Sequence, residues 1–554
     1  MKRLLKIFVI ICVCQSNNCA NQGMPPGGPE DKTPPEIIHT IPDINSTNVP
    51  RTTEVEFEFS ENIQDNSLKS LIFISPNPGK GFTIKARGNK INLEFTDSLI
   101  ANVTYSITLG TGIKDLRGNK LKESYTLGFA TGDRLDEKQI SGQVFADKPT
   151  EVTVWAYFYS DGEAVNPGKD QPIYVTQCDN EGKFKLSNLA SRHYRLFAVR
   201  DQDKNLLYNL GREQIGVTSS DVDLTGKETH IQNRLFRMME EDSSHLKILS
   251  LDQLDRRKIR VRFSKPILLE PEISNSIILY NHLGDSIVVM NAYPSSDTKD
   301  IWSITTPPRD TVNFQLGFKN LRDLYGRSIQ DTVNTNFNSV SNPDTTKPVL
   351  LSVTPPDSSQ LVFPNQPFIF TFSETMAAIN DTLFTVSEDS LNPFTTNWKY
   401  PHQLEILPEI SWEGNKWIQF QLNEIKFRDS AGNVLEIEKT HYSWKILNPD
   451  TLSSISGSIS DQDSLGQSRF YLQLEKVGAG RDEKSVVHID STFYLFNDIL
   501  PGKYILSGYR DADKNGIYSL GSTFPFVLSE RFFVAQDTIL VRAKWPNEGN
   551  NYTF

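Results

Sequence analysis

A long-range internal repeat constrains the fold of this 554-residue chain more than any other feature. Residues Pro35–Glu61 contain spaced prolines and end in Phe-Glu-Phe-Ser-Glu, and Pro348–Glu374 repeat that layout 313 positions later. An Asp-x-x-Gly-Asn motif follows in both copies, at Asp115 and at Asp429. A third, more divergent copy runs from Ile259 to Gly326. Because chance rarely preserves such intervals, the chain must contain repeated structural units.

A second type of segment is also duplicated. Residues Phe184–Asn205 match Phe493–Asn515, at an offset of 309 over the first six residues and of 310 from Tyr194 onward. The repeated unit therefore has two modules, and the divergent copy of the first type lies between the two units.

The local patterns are those of β-strands. Val55, Phe57 and Phe59 alternate with glutamates, a period of two that buries one face of a sheet. In an Asp-x-x-Gly-Asn turn the aspartate caps its own backbone and the glycine adopts positive φ. Outside the amino-terminal segment there is no amphipathic helix longer than a few turns, so we predict an all-β fold.

The chain is too long for one domain, because a single hydrophobic core stops growing at about 250–300 residues. It must therefore fold as several domains. We expect β-sandwich modules that follow one another as a rod. The predicted segments are a signal peptide (1–18), a flexible tether (19–33) and modules one (34–132), two (139–232), three (246–340), four (346–446) and five (454–545).

The amino terminus predicts export. A basic start precedes the apolar stretch Leu4–Cys14, which is shorter than the roughly 20 residues that a membrane span needs. Cys19 and the Pro/Gly-rich tether after it resemble the start of bacterial lipoproteins, whose cysteine is lipidated. Ser16–Asn18 depart from the leucine and small residues which that pattern prefers, so simple cleavage or an uncleaved anchor are the alternatives.

The repeated motifs also resemble known domain families. The proline-rich opening, the Phe-Ser-Glu strand end and the Asp-x-x-Gly-Asn turn are similar to the bacterial Ig-like domain of the S-layer (SbsA) type. The pattern around Phe184 and Tyr194 resembles transthyretin-like or carboxypeptidase-regulatory-like sandwiches. The whole chain is similar to Ig-like lipoproteins of Bacteroidetes-type bacteria. This resemblance implies tandem Ig-like and transthyretin-like β-sandwiches on the periplasmic or outer surface of the envelope, in adhesion or scaffolding, with no catalytic residues.

A candidate calcium loop begins at Asp511. Asp511, Asp513 and Asn515 place oxygen ligands at alternate positions, and Gly516 supplies a sharp bend, as calcium loops require. The twelfth position, which would need a bidentate carboxylate, is Ser522. The alternative is a hairpin tip rich in Asx turns. Calcium is the one cofactor that the sequence suggests.

The corresponding loop of module two fits calcium less well. It keeps Asp201, Asp203 and Asn205, but Leu206 replaces the glycine and Arg212 occupies the twelfth position.

Four aromatic residues of module four form a second candidate site: Trp398, Tyr400, Trp412 and Trp417. Exposed rings of this kind stack on sugars or anchor a protein partner. Burial in the sandwich core is the alternative, and it is the commoner fate of tryptophan.

Charge and motifs exclude several classes of function. A formal net charge of −11 repels phosphate backbones, so nucleic acid is not expected as a partner. Zinc-ligand spacings, nucleophile elbows and phosphate-binding loops are absent from the sequence. We therefore predict a non-catalytic, lipid-anchored scaffold or adhesin of the outer membrane with a protein or glycan ligand. The alternatives are a carbohydrate-binding accessory protein and a hydrolase with an unrecognised site between domains.

Overall fold

A computed structural model of the protein describes most of the chain after residue 30. The described residues are 31–66, 68–78, 81–160, 164–241, 244–269, 276–295, 298–310, 312–324, 328–329, 333–377, 384–386, 393–460, 469–478, 484–489 and 491–553. The chain divides into two compact units, one comprising residues up to Gln139 with Ile173–Ala190, the other Ile140–Pro172 with Ser191–Phe554. Among the described residues, no helix is long and apolar enough to cross a membrane.

Module one is a sandwich of two antiparallel sheets. Its strands are β1 (Ile37–Ile41), β2 (Val55–Phe59), β3 (Ile72–Ser75), β4 (Phe82–Arg87), β5 (Lys90–Phe95), β6 (Thr104–Leu109) and β7 (Tyr125–Ala130). They form a four-stranded sheet, β1-β2-β5-β4, and a three-stranded sheet, β3-β6-β7. Val55 and Phe57 are fully buried, whereas Glu56 on the opposite face pairs with Lys90 at 2.7 Å. The predicted alternation is confirmed.

The segment predicted as module two is divided between the two units, and its strands run from residue 138 to residue 240, beyond the predicted bounds of 139–232. Its strands are β8 (Lys138–Phe145), β9 (Thr153–Phe158), β10 (Tyr174–Gln177), β11 (Lys183–Leu189), β12 (His193–Val199), β13 (Gln214–Val217), β14 (Val222–Asp223), β15 (His230–Arg237) and β16 (Met239–Glu240). Strands β10 and β11 belong to the first unit. In the second unit, β9, β12, β13 and β16 are neighbours in one sheet, and β14 also pairs with β12.

Modules three and four repeat the sheet order of module one. The strands of module three are β17 (Ile248–Gln253), β18 (Lys258–Phe263), β19 (Ile277–Asn281), β20 (Asn291–Pro294), β21 (Ile301–Thr305), β22 (Asn313–Phe318), β23 (Leu321–Arg322), β24 (Ser328–Ile329) and β25 (Val333–Asn338). Those of module four are β26 (Leu350–Thr354), β27 (Phe368–Phe372), β28 (Phe384–Val386), β29 (Phe394–Tyr400), β30 (Gln403–Pro408), β31 (Trp417–Leu422) and β32 (His441–Lys445). The sheets are β17-β18-β21-β20 with β19-β22-β25, and β26-β27-β30-β29 with β28-β31-β32.

Module five is a larger sandwich. Its strands are β33 (Ser453–Ser460), β34 (Arg469–Lys476), β35 (Lys484–Ile489), β36 (Phe493–Ile499), β37 (Gly502–Asp511), β38 (Ser522–Thr523), β39 (Phe526–Val527), β40 (Phe532–Val534), β41 (Ile539–Val541) and β42 (Tyr552–Thr553). The sheets are β36-β33-β42 and β35-β34-β37-β40, and β41 also pairs with β37. Strand β42 lies beyond the predicted end at residue 545. Short 3-10 helices span Leu68–Leu71, Pro149–Glu151, Glu424–Lys426 and Pro449–Thr451.

Modules one and four agree in register as well as in sheet order. Phe57 pairs with Ile91 in module one, and Phe370 pairs with Leu404 at the same offset of 313 in module four. The first strand has an irregularity at the same position in modules one, three and four, between Ile37 and His39 and at the matching sites of β17 and β26. Such bulges bend a strand at a defined place, so the copies preserve geometry as well as sequence.

The Asp-x-x-Gly-Asn turns have the predicted geometry. Asp115 accepts backbone hydrogen bonds from Arg117 and Asn119, both at 2.8 Å, and Gly118 has a φ of 93°. Asp429 accepts from the corresponding two backbone amides at 2.8 and 2.9 Å, and Gly432 has a φ of 97°.

One predicted alignment is wrong by a residue. In β11 the buried side chains are Phe184, Leu186 and Leu189, and in β36 they are Tyr494, Phe496 and Ile499, which is an offset of 310 throughout. The sequence comparison aligned Phe184 with Phe493, whose side chain is exposed. Because side chains alternate between the two faces of a strand, a shift of one residue exchanges the core face and the solvent face.

Candidate interaction sites

The candidate calcium loop lies at the end of β37. Oxygen atoms of Asp511, Asp513 and Glu530 lie within 4.8 Å of one another. Asn515 lies beside this group: its side-chain amide donates to Asp513 at 2.7 Å, and its side-chain oxygen accepts a hydrogen bond from the backbone of Ile517 at 2.7 Å. The structure therefore places the three predicted residues next to one another and adds the carboxylate of Glu530, which follows β39.

Backbone amides hold these carboxylates in place. Asp511 accepts from the amides of Asn515 and Gly516, both at 3.0 Å. Glu530 accepts from the amides of Ala512 at 2.7 Å and Ser519 at 3.0 Å. Burial raises the pKa of Glu530 to about 7, against the effect of these two hydrogen bonds, and the nearby charges of Asp513 and Asp511 raise it further.

The corresponding loop of module two has the same construction. Asp201, Asp203 and Glu213 place oxygen atoms within 4.8 Å of one another. Glu213 accepts from the amides of Gln202 and Asn209, both at 2.8 Å. Burial raises the pKa of Asp201 to about 6. Both glutamates were missed from the sequence because neither occupies the twelfth position of a calcium loop: Glu213 is the thirteenth residue of its loop and Glu530 the twentieth.

The four aromatic residues of module four do not form one platform. Trp412 is 2% exposed and packs in the core, 5.8 Å from the ring of Phe368, so it is not available to a ligand. Trp398 is partly buried against the same core. Tyr400 and Trp417 are 41% and 43% exposed, but they lie on β29 and β31, which belong to different sheets.

Neither of the two cysteines that follow the apolar stretch, Cys19 and Cys178, is a demonstrated site. Cys19 and the tether up to residue 30 lie outside the described residues. Cys178 is fully buried in the first unit, and burial raises the pKa of its thiol above the ordinary value. A buried thiol that keeps its proton is a poor nucleophile.

Module two packs against module five. The guanidinium of Arg195 forms two hydrogen bonds with Asp221, at 2.8 and 2.6 Å. It also lies 3.6 Å from the ring centroid of Phe526 in module five and 4.0 Å from that of Tyr159. Phe145 contacts Phe532 edge to face at 5.5 Å. An end-to-end order is therefore wrong for modules two and five: the chain returns on itself.

Hydrogen bonds supplement these ring contacts. The buried carboxylate of Glu241 accepts from the amide and hydroxyl of Thr523, at 3.0 and 2.7 Å. The amide of Ser529 donates to the carbonyl of Thr218 at 3.1 Å.

The contact depends on an insertion that module two lacks. Between the first aspartate and the glutamate of the acidic loop, module five has seven more residues than module two. Strands β38 and β39 form a hairpin in this longer segment, and Thr523 and Phe526 are part of it.

Two segments match a known domain family. The sequence profile of the bacterial Ig-like domain matches residues 31–131 and 344–445. These are modules one and four, so the predicted Ig-like resemblance is confirmed for both. No curated protein matches the sequence.

Solved structures add little. An L,D-transpeptidase from Mycobacterium smegmatis is 9% identical over 27% of this chain and 76% of its own, with a TM-score of 0.16. The N-terminal part of the bacterial S-layer protein SbsC is 14% identical over 36% of this chain and 45% of its own, also at 0.16. A structure of domains 1–6 of surface layer protein SbsC covers 93% of this chain and 67% of its own, at 11% identity and a TM-score of 0.15. Similarities at these TM-scores carry no argument about function.

Both Ig-like modules have three carboxylates at one end of the sandwich. In module four these are Asp344, Glu374 and Asp429, whose oxygen atoms lie within 4.8 Å of one another. Lys258 of module three inserts among them: its ammonium forms ion pairs with Asp344 at 2.5 Å and with Glu374. The side chains of Lys258, Asp344 and Glu374 are at most 10% exposed. This charge pairing fixes module three on the Ig-like module four.

Neutral contacts surround the lysine. The ring of Tyr293 in module three stacks on His402 of module four at 4.1 Å. Thr375 donates to the hydroxyl of Tyr293 at 3.2 Å, and its hydroxyl also lies 3.2 Å from that of Thr305. Burial lowers the pKa of His402 to about 4, so the stacked imidazole is neutral near pH 7.

Proposed function

We propose that this protein is a non-catalytic scaffold of the bacterial cell envelope, anchored through a lipid on Cys19. The contact between modules two and five is the observation that carries this proposal. A scaffold must hold its modules at fixed relative positions, and a contact between segments far apart in the chain restricts modules two to five more than flexible linkers would.

The Ig-like match supports a location outside the cytoplasm, where bacterial Ig-like domains typically occur. We assign modules two and five to the transthyretin-like class, on the Tyr-x-Leu pattern that both share and on the Gly-x-Phe pattern of module two. The ligands of such modules are expected on the loops and ends of the sandwiches, since a rigid framework positions them there.

Metabolic labelling with a palmitate analogue tests the anchor. Cells that express the full chain are compared with cells that express Cys19→Ser, with Cys178→Ser as the matched control. Label and recovery in the outer-membrane fraction should be lost with Cys19→Ser alone. Label retained in Cys19→Ser would refute this cysteine as the anchor, and an unlabelled, soluble wild-type chain would refute envelope anchoring.

Calcium binding by the loop of module five is a further proposal. Its support is the convergence of Asp511, Asp513 and Glu530 from two separate segments. Calcium should raise the melting temperature of the full chain. At a calcium concentration one hundred times Kd, the free energy of unfolding should rise by about 2.7 kcal/mol. The Asp513→Ala variant should lose this response, and the absence of a response in the wild type would end the proposal.

Tyr400 and Trp417 stay as proposed ligand contacts of module four. Their exposed rings favour a glycan or protein contact. Because the two residues lie on different sheets, each ring would contact a ligand separately. Binding of the full chain to immobilised glycans should fall in Tyr400→Ala and in Trp417→Ala but not in Leu361→Ala, an exposed control in the same module. Equal binding by all three variants would rule out these two rings.

A further inference from the structure

The carboxylates of module one reproduce those that hold Lys258 in module four. Asp31 and Glu61 lie 313 positions before Asp344 and Glu374, and Asp115 lies 314 positions before Asp429. Oxygen atoms of Asp31, Glu61 and Asp115 also lie within 4.8 Å of one another.

The supporting hydrogen bonds are also repeated. Asn119 donates from its side-chain amide to Asp115 at 2.8 Å and to the carbonyl of Asp31 at 3.1 Å. In module four, Asn433 donates to Asp429 at 2.8 Å and to the carbonyl of Asp344 at 3.2 Å. Two copies of one framework therefore present the same carboxylates, and one copy is seen with its ligand, a lysine ammonium.

In the part of module one that the structure describes, no lysine takes this position. Within the part of the chain that the structure describes, no ion pair joins Asp31, Glu61 or Asp115 to a lysine or arginine. Between Lys6 and Lys32, which follows Asp31 directly, the sequence contains neither lysine nor arginine. Burial raises the pKa of Glu61, and the charges of Asp115 and Asp31 add to this. The pKa of Asp115 is lowered despite its burial, because Asn119 and neighbouring backbone amides donate hydrogen bonds to it.

We propose that Asp31, Glu61 and Asp115 form a docking site for the lysine side chain of a partner protein. The site would hold the partner's ammonium as module four holds Lys258, so module one would receive a partner where module four receives module three. This inference rests on the proposed scaffold role. It specifies the scaffold's partner as a protein that presents a lysine side chain.

The surroundings of the site indicate a reversible contact. Asn89 and Asn62 of module one stand where module four has His402 and Thr375, which pack against module three. Without an aromatic stack, the partner is held mainly by charge and polar contacts. Exposed charge pairs are weak and are screened by salt, so the contact should be salt-sensitive.

Carbodiimide cross-linking with a defined probe tests the site. The probe is a peptide of residues Leu254–Phe263, acetylated and amidated at its ends, in which Lys258 supplies the sole primary amine. The matched control peptide has Lys258→Met and keeps all four arginines. Each peptide is incubated with the purified full chain, and mass spectrometry locates the amide bonds formed.

We expect adducts at Asp31 or Glu61 to exceed those at any other carboxylate of module one by about fivefold, the ratio that corresponds to 1 kcal/mol. The Lys258→Met peptide should form none. The double variant Asp31→Asn/Glu61→Gln should lose the preference, whereas Glu54→Gln, an exposed control, should keep it.

Three results would overturn the proposal. Adducts spread evenly over the carboxylates would show that the site does not select an ammonium. An unchanged pattern in Asp31→Asn/Glu61→Gln would place the binding elsewhere. Full suppression by equimolar calcium, with calcium bound at this site, would assign it to a metal ion instead. Because the purified chain is used, none of these results bears on the lipid anchor or on the scaffold role.

Discussion

Glu241 accepts two hydrogen bonds from Thr523, although the two residues are separated by 282 positions in the chain. Both side chains are buried, and Glu241 lies directly after β16 while Thr523 lies in the β38–β39 hairpin. A buried carboxylate with good partners fixes a geometry, and the same carboxylate without partners is costly. The pair therefore joins modules two and five specifically.

Replacing Glu241 with alanine should weaken this contact. The amide of Thr523 would lose its acceptor in a buried place, at a cost of about 1–3 kcal/mol. The free energy of unfolding, measured by denaturant titration, should fall by that amount. Glu240→Ala, at an exposed neighbouring position, is the control and should change little. Equal effects of the two substitutions would contradict a specific role for Glu241.

Replacing Lys258 with methionine should destabilise the junction of modules three and four. It leaves Asp344 and Glu374 buried without their counter-charge, a loss of about 3–5 kcal/mol. The double variant Lys258→Met/Glu374→Gln should recover part of this loss, because one of the buried charges is then also removed. Lys247→Met serves as the exposed control. Differential scanning calorimetry of the four chains checks the order, and no loss in Lys258→Met would show that the pairing is dispensable.

Leu206 has the left-handed backbone that its counterpart Gly516 adopts. The φ angles of Leu206 and Gly516 are 59° and 74°, and residues other than glycine are strained in this left-handed region. Leu206→Gly should therefore stabilise the full chain by roughly 0.5–1 kcal/mol, and Gly516→Ala should destabilise it by about 1 kcal/mol. A Cβ at Gly516 would meet no atom within 4 Å, so the second change tests the backbone alone. Changes in the opposite directions, measured by urea titration, would contradict this reading.

Glu530 should make stability depend on pH. Its pKa is about 7 in the folded chain against an ordinary value of 4.5, so the folded state binds the proton more tightly than the unfolded state. This contribution is complete below pH 4.5 and is lost as the pH rises through 7. Between pH 5 and 8 the wild type should lose about 2 kcal/mol more stability than Glu530→Gln, after allowance for solvent screening. Parallel pH profiles of the two proteins would contradict the raised pKa.

Local patterns predicted the parts of the fold that local chemistry decides. The alternation of Val55, Phe57 and Phe59 predicted a half-buried strand because side-chain direction in a strand has a period of two. The turns at Asp115 and Asp429 were predicted because aspartate and glycine each satisfy a specific backbone requirement. The duplicated motifs then predicted matching modules, and the sheets of modules one and four have the same order.

Contacts between distant segments could not be predicted in this way. Glu530 joins Asp511 only because the chain returns after the β38–β39 hairpin, and no spacing rule contains a hairpin of that length. Phe526 gives no sign in the sequence that it will contact Arg195. The sequence did contain one sign of the hairpin. The acidic segment of module five is seven residues longer than that of module two, and extra residues in one of two copies indicate an added element.

Hydrogen exchange at two amides tests the contact between modules two and five most directly. The amides of Thr523 and Ser529 donate to Glu241 and Thr218 of the other module. In the intact chain both should exchange slowly, and Glu241→Ala should accelerate both while the amide of Gly508, which lies within β37, stays protected. Fast exchange at Thr523 and Ser529 in the wild type, beside a protected β37, would show that the two modules are not held together.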